Sequence, residues 1–94
     1  MGEVFVGDIG TKFTLDTEHD LVACGATVTK IYVRKPNGIE VIWDGTIENT
    51  SYVYYITEEN DLDISGTWRF QVYVEMPGWK GRGEEATKEI NKHI

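Results

Sequence analysis

At 94 residues the chain is long enough for one domain with one modest core, and too short for two. Sixteen acidic residues against nine basic ones give a formal net charge of -7. That balance argues against a nucleic-acid binder, which needs a basic footprint against phosphate, and against adsorption to anionic membranes. A 40% hydrophobic share with 27% charged residues is the composition of a soluble globule, not of a disordered chain.

The first residues, Met1 to Asp8, lack the basic start and long apolar core of a secretory leader. No apolar run approaches the roughly 20 residues that cross a bilayer. Glu3 to Val6 reads as a short strand stopped by Gly7-Asp8-Ile9-Gly10, and Lys12 to Leu15 resumes it. The glycine break predicts a first strand that changes partners. Asp16 to Gly25 is polar and turn-rich. Within it lies Cys24, the one cysteine, so no internal disulfide forms and a reducing compartment suits the chain. Beside Gly25 and Ala26, Cys24 reads as filler at the edge of the core and not as a nucleophile.

Thr27 to Arg34 is β-branched and aromatic, which is strand chemistry. Val28 and Ile31 share a face only if the alternation slips, which predicts a β-bulge near Thr29 and Lys30. Lys35-Pro36-Asn37-Gly38 is a turn by its residue chemistry, and Ile39 to Trp43 returns from it as the second arm of a hairpin. Thr46 to Glu48 is a short strand, and Asn49-Thr50-Ser51 turns into Tyr52 to Ile56. The acidic corner from Glu58 to Gly66 feeds a long strand, Thr67 to Met76. There Trp68, Phe70, Val72, Val74 and Met76 alternate with polar residues, so one face is buried and the other wet. Trp43 and Trp68 read as core anchors.

Pro77 to Gly83 reads as a glycine-rich loop. In the tail, Ala86, Ile90 and Ile94 recur every four residues and Glu84 precedes Lys88 by four, a helical spacing with a favourable ion pair. The same three apolar residues also share one face of a strand. A sandwich needs a last partner strand, so the tail is read as a strand. The whole chain, 1–94, then reads as a single immunoglobulin-like antiparallel β-sandwich of about seven strands.

Little in the sequence promises catalysis. Asp61-x-Asp63-x-Ser65-Gly66 matches the first half of an EF-hand loop, but its twelfth position is Val72 where a bidentate Glu is required. Asp61 and Asp63 are therefore weak metal candidates, and a solvated corner with carboxylates bonded to turn amides is the simpler reading. Gly78-x-x-Gly81-x-Gly83 lacks the strand–turn–helix setting and the Lys-Ser/Thr ending of a phosphate loop. No Ser-His-Asp set or zinc spacing is present, so the chain reads as non-enzymatic and without a cofactor. Aromatics carry more promise. Trp79 is flanked by Lys80 and Arg82 in the one locally basic stretch, which is interface hot-spot chemistry. The alternative is that Trp79 folds back to cap the open end of the sandwich. Tyr73 and Tyr55 are expected to face outward, either adding to a binding surface or forming ordinary cross-strand pairs.

Three features occur in a fixed order: Asp20-Leu21 with Gly25-Ala26-Thr27-Val28, then Arg34-Lys35-Pro36-Asn37-Gly38, then Asp61-Leu62-Asp63 through Gly66-Thr67-Trp68. In this order the chain, from about Phe5 to Ile90, resembles the small immunoglobulin-like domain of bacteriophage tail and baseplate proteins, of the type at the N-terminus of baseplate upper proteins. The resemblance implies a virion protein assembled in the bacterial host cytoplasm. It implies partners among other phage structural proteins or copies of itself, with no nucleic acid and no membrane, and it brings no catalytic residues. A carbohydrate-binding module stacking sugar on Tyr55, Tyr73 and Trp79, or a calcium-dependent adhesion module, is the alternative expectation.

Overall fold

The computed structural model describes residues 4–92, and for Glu84 the backbone alone. Among the described residues eight strands form two packed sheets: β1 (Val4–Phe5), β2 (Lys12–Asp16), β3 (Val28–Arg34), β4 (Glu40–Asp44), β5 (Thr46–Glu48), β6 (Tyr52–Ile56), β7 (Gly66–Met76) and β8 (Trp79–Asn91). One sheet runs β1-β8-β7-β3-β4 and the other β2-β6-β5. This is the strand distribution of an immunoglobulin-type sandwich, in which consecutive strands repeatedly cross between the layers. Every pairing is antiparallel except that of β1 with β8, which is parallel, so the larger sheet is mixed.

The predicted break of the first strand is real. After Gly7 and Gly10, both at positive φ, the chain leaves β8 and β2 pairs with β6 in the other sheet. The tail is the strand β8, paired along almost all of β7. Glu3, Ile94 and the proposed Glu84 side-chain pairing lie outside the described residues. Two local expectations are corrected. Residues 79–83 are not a loop: Pro77 and Gly78 alone make the turn, with Gly78 at φ 81° supplying the left-handed corner, and Trp79 already pairs with Met76. The bulge lies elsewhere than near Thr29, because β3 pairs without slip on both sides. It falls in β8, where Gly83 and Glu84 together oppose Val72.

The core is built around four rings. Phe13 of β2 stacks on Phe70 of β7 at 4.9 Å between ring centroids, joining the sheets where antibody domains place a disulfide. Trp43 packs against both at 5.7 and 5.8 Å, and stacks on Tyr55 at 4.4 Å. Leu21, Ile31, Val33, Val53, Leu62 and Ile90 are fully buried around them, each contributing roughly 1.5–3 kcal/mol by leaving water. Cys24 is not among these residues. It is exposed, in the turn over residues 21–25, because Leu21 alone of that turn points inward.

The acidic corner organises the crossing from β6 to β7. Trp68, fully buried two residues before Phe70, donates its indole N–H to the carbonyl of Ile64 at 3.0 Å. That bond back to the upstream backbone is the role a tyrosine hydroxyl plays at the same corner of immunoglobulin domains. Gly66 has φ 129°, and a Cβ there would lie 2.7 Å from the Pro36 ring, so only glycine lets the corner close on the β3–β4 turn. Lys35 of that turn reaches across to Asp63 at 2.9 Å.

Candidate functional site

The residues singled out in the sequence fall on three separate surfaces. Tyr73 and Arg82 lie on the outer face of the larger sheet, directly paired in register. They meet Tyr32, which pattern reading passes over. The Arg82 guanidinium sits 4.1 Å from the Tyr32 ring centroid, and Tyr32 and Tyr73 are 5.4 Å apart. Around them Lys30 pairs with Asp44, Arg34 with Glu40 and Arg69 with Glu85. The bond to Asp44 holds the Lys30 ammonium above its ordinary pKa. The Tyr73 hydroxyl donates to Glu75 at 2.8 Å, and that bond first, with burial second, raises the phenol above its usual range. This face is a ladder of cross-strand pairs whose charges answer one another. Lys80 stands at its far end, opposite Glu75 near the hairpin turn.

Tyr55 does not face outward. In β6 the inward positions are Val53 and Tyr55, while Tyr52, Tyr54 and Ile56 line the opposite face. Tyr55 stacks on Trp43 and donates its hydroxyl to Asp61 at 2.6 Å. Burial first, and then the bond to Asp61, push its phenol well above the ordinary tyrosine value. The outward expectation fails because Trp43 offers a flat apolar surface and Asp61 an acceptor for the one polar atom.

The acidic corner keeps its two candidate ligands apart. Asp61 accepts from the Tyr55 hydroxyl and from the Glu58 N–H, both at 2.6 Å, while Asp63 faces Lys35. Among the described residues no group of three or more potential metal-ligating side chains converges. Asp61 thus works as the turn carboxylate of the simpler reading.

Trp79 lies on the side of β8 that faces the other sheet, in register with Met76. It is 53% exposed. Its ring neither caps the sandwich nor projects freely. It lies along its own strand over Gly81, so close that a Cβ there would come within 2.8 Å of the ring. Beyond it opens a groove of about 500 Å³ between β2 and the β7–β8 hairpin. Leu15, Leu21, Val74, Met76, Trp79 and Ala86 give it an apolar floor.

The groove has a definite cause. The smaller sheet ends at β2, which pairs only with β6 among the described strands, whereas the larger sheet continues past β7 to β8 and β1. The inward face of β8 therefore overhangs. Its residues there are small: Gly81 opposite Val74 and Ala86 opposite Phe70. The run of glycines after Trp79 was the available signal. A strand with small residues on its inner face cannot fill the space beneath it.

Tyr55, Tyr73 and Trp79 share no face, so they form no common stacking platform. Compared with known proteins, the chain matches no family model, and no curated protein matches it.

Proposed function

We propose that this chain is a non-enzymatic structural module that works by protein–protein contact, of the kind that serves in bacteriophage tails and baseplates, with other virion proteins as its partners. The observation that carries the reading is the uncovered groove. It combines a strand edge that no described strand covers, an apolar floor and a half-exposed tryptophan, and apolar area with an aromatic anchor is what protein interfaces are built from. Placement in a tail or baseplate rests on the order of sequence features from Asp20 to Trp68. Two of those features, the 35–38 turn and the 61–68 corner, pack on each other through Pro36, Gly66, Lys35 and Asp63. No cofactor enters this reading.

The test is co-expression of the full chain with each tail and baseplate protein encoded beside it, followed by size-exclusion chromatography with light scattering. A stoichiometric complex with one of them is expected. A chain that remains monomeric beside every tail component overturns the proposal.

A further inference from the structure

The groove has a strand edge along one side, and the edge is specific about what it accepts. Just beyond the two ends of β2, Thr17 donates its N–H to the Ser51 carbonyl at 2.8 Å, and Thr57 donates its N–H to the Thr11 carbonyl at 2.9 Å. Antiparallel pairing alternates, so Phe13 and Leu15 also point their backbone groups toward β6. Lys12, Thr14 and Asp16, the non-hydrogen-bonded positions opposite β6, then point theirs the other way, into the groove margin, where no described strand lies on that side of β2. Three residues with unpaired N–H and C=O at alternate positions are a template for an added strand.

The floor sets the side-chain pattern of such a strand. A segment lying beside β2 and beneath β8 places every second residue inward, against Leu15, Leu21, Met76, Trp79 and Ala86. Those residues must be apolar. The rim sets the charge. Asp16 and Glu18 line the groove, while Glu85, also at its rim, already faces Arg69 on the outer face at 3.6 Å. Arg82, the cation at the same rim, is held over Tyr32 on the other face. An acidic rim on a chain of net charge -7 selects against a second copy of itself and for a basic partner.

We infer that the free edge of β2 and the groove beneath β8 form a strand-acceptor site, which takes one extended segment of a different protein with alternating apolar residues and lysine or arginine between them. This rests on the protein–protein reading above and names the surface and the partner chemistry. The added segment becomes a fourth strand of the smaller sheet. Its inward side chains fill the trough that Gly81 and Ala86 leave open, and its cations meet Asp16 and Glu18. Trp79 closes over one inward side chain at the hairpin end.

The test uses the full chain and a capped peptide, Lys-Val-Thr-Val-Lys-Val-Lys, with a counterpart carrying Glu in place of each Lys. Binding is followed by amide spectra and hydrogen exchange. The expected result is saturable binding of the basic peptide, at least about tenfold tighter than of the acidic one, with new exchange protection at the Lys12, Thr14 and Asp16 amides. Thr14→Pro removes an N–H that β6 does not use and is expected to weaken binding by about tenfold or more, as is Trp79→Ala, which removes the anchor. Ala86→Arg fills the floor from an exposed position and serves as the second variant if Thr14→Pro unfolds. No binding of the basic peptide, binding without protection of those three amides, or equal binding of the acidic peptide overturns the inference. So does a homodimer that Thr14→Pro or Ala86→Arg dissolves. A tail-protein complex that forms equally well with Trp79→Ala and Ala86→Arg overturns the strand-acceptor site and leaves the contact function standing, whereas absence of any complex overturns the contact function itself.

Discussion

Replacing Trp68 with Phe isolates the bond that holds the corner between β6 and β7. Trp68 is fully buried and its indole N–H donates to the Ile64 carbonyl at 3.0 Å. Phe keeps most of the apolar ring but removes the pyrrole atoms and the donor. The lost ring atoms leave a small cavity, about 1–2 kcal/mol. The carbonyl loses its partner, which costs about a further 1–2 kcal/mol. The total is about 2–4 kcal/mol. Trp43 provides the internal comparison. It is 5% exposed and stacks on Tyr55, and among the described residues its ring nitrogen has no acceptor. Trp43→Phe therefore carries only the first cost. Urea denaturation followed by far-ultraviolet circular dichroism, with unchanged m-values, gives both numbers. For a domain of this size each kcal/mol is about 4–8 °C in Tm. Trp68→Phe is expected to exceed Trp43→Phe by at least about 1 kcal/mol. Equal losses in the two variants refute the role given to the corner bond.

Phe13→Ala removes the ring that joins the sheets at 4.9 Å from Phe70, and a loss of about 3–5 kcal/mol is expected in the same denaturation assay. Thr50 holds φ at 65°, a left-handed conformation that a β-branched residue resists. Thr50→Gly is expected to raise stability by about 0.5–1 kcal/mol once glycine's greater chain entropy is offset, and a lower Tm contradicts the strain. Burial and Asp61 raise the Tyr55 phenol above its unfolded value. The unfolded chain then releases that proton first as pH rises, so this contribution is present below about pH 10 and fades above it. Tyr55→Phe is expected to flatten the alkaline fall in stability relative to the native chain, measured by urea denaturation at pH 8 and above; an unchanged slope argues against it. Gly81→Ala pushes on the far end of the flexible Trp79 ring. It is expected to alter tryptophan emission at a stability cost under about 1 kcal/mol.

Alternation in residues 67–76 and the turn at 35–38 were legible because each depends on local chemistry: side chains alternate across a strand, and Pro-Asn-Gly sets backbone angles without outside help. The same rule gave Trp43 and Trp68 as core anchors. Tyr55 was misplaced because alternation says which residues share a face, not which face is inside. That choice came from Trp43 on a strand of the other sheet. The glycines at 78, 81 and 83 look alike in sequence, yet one forms the turn, one lies beneath Trp79 and one sits in a bulge.

The candidate site divides along the same line. Trp79 and Arg82 stood out by residue type, but the pairing of β7 with β8 sends Arg82 to the outer face over Tyr32 and Trp79 to the inner one. The sequence by itself determined an all-β sandwich, its aromatic core and most of its turns, because short-range patterning suffices for these. The tertiary structure alone decided that β1 joins β8, that the smaller sheet stops at β2, and that the small residues of β8 overhang the gap. Which strand ends a sheet depends on pairings between residues far apart in the chain, and a sequence pattern does not record which edge is left unpaired.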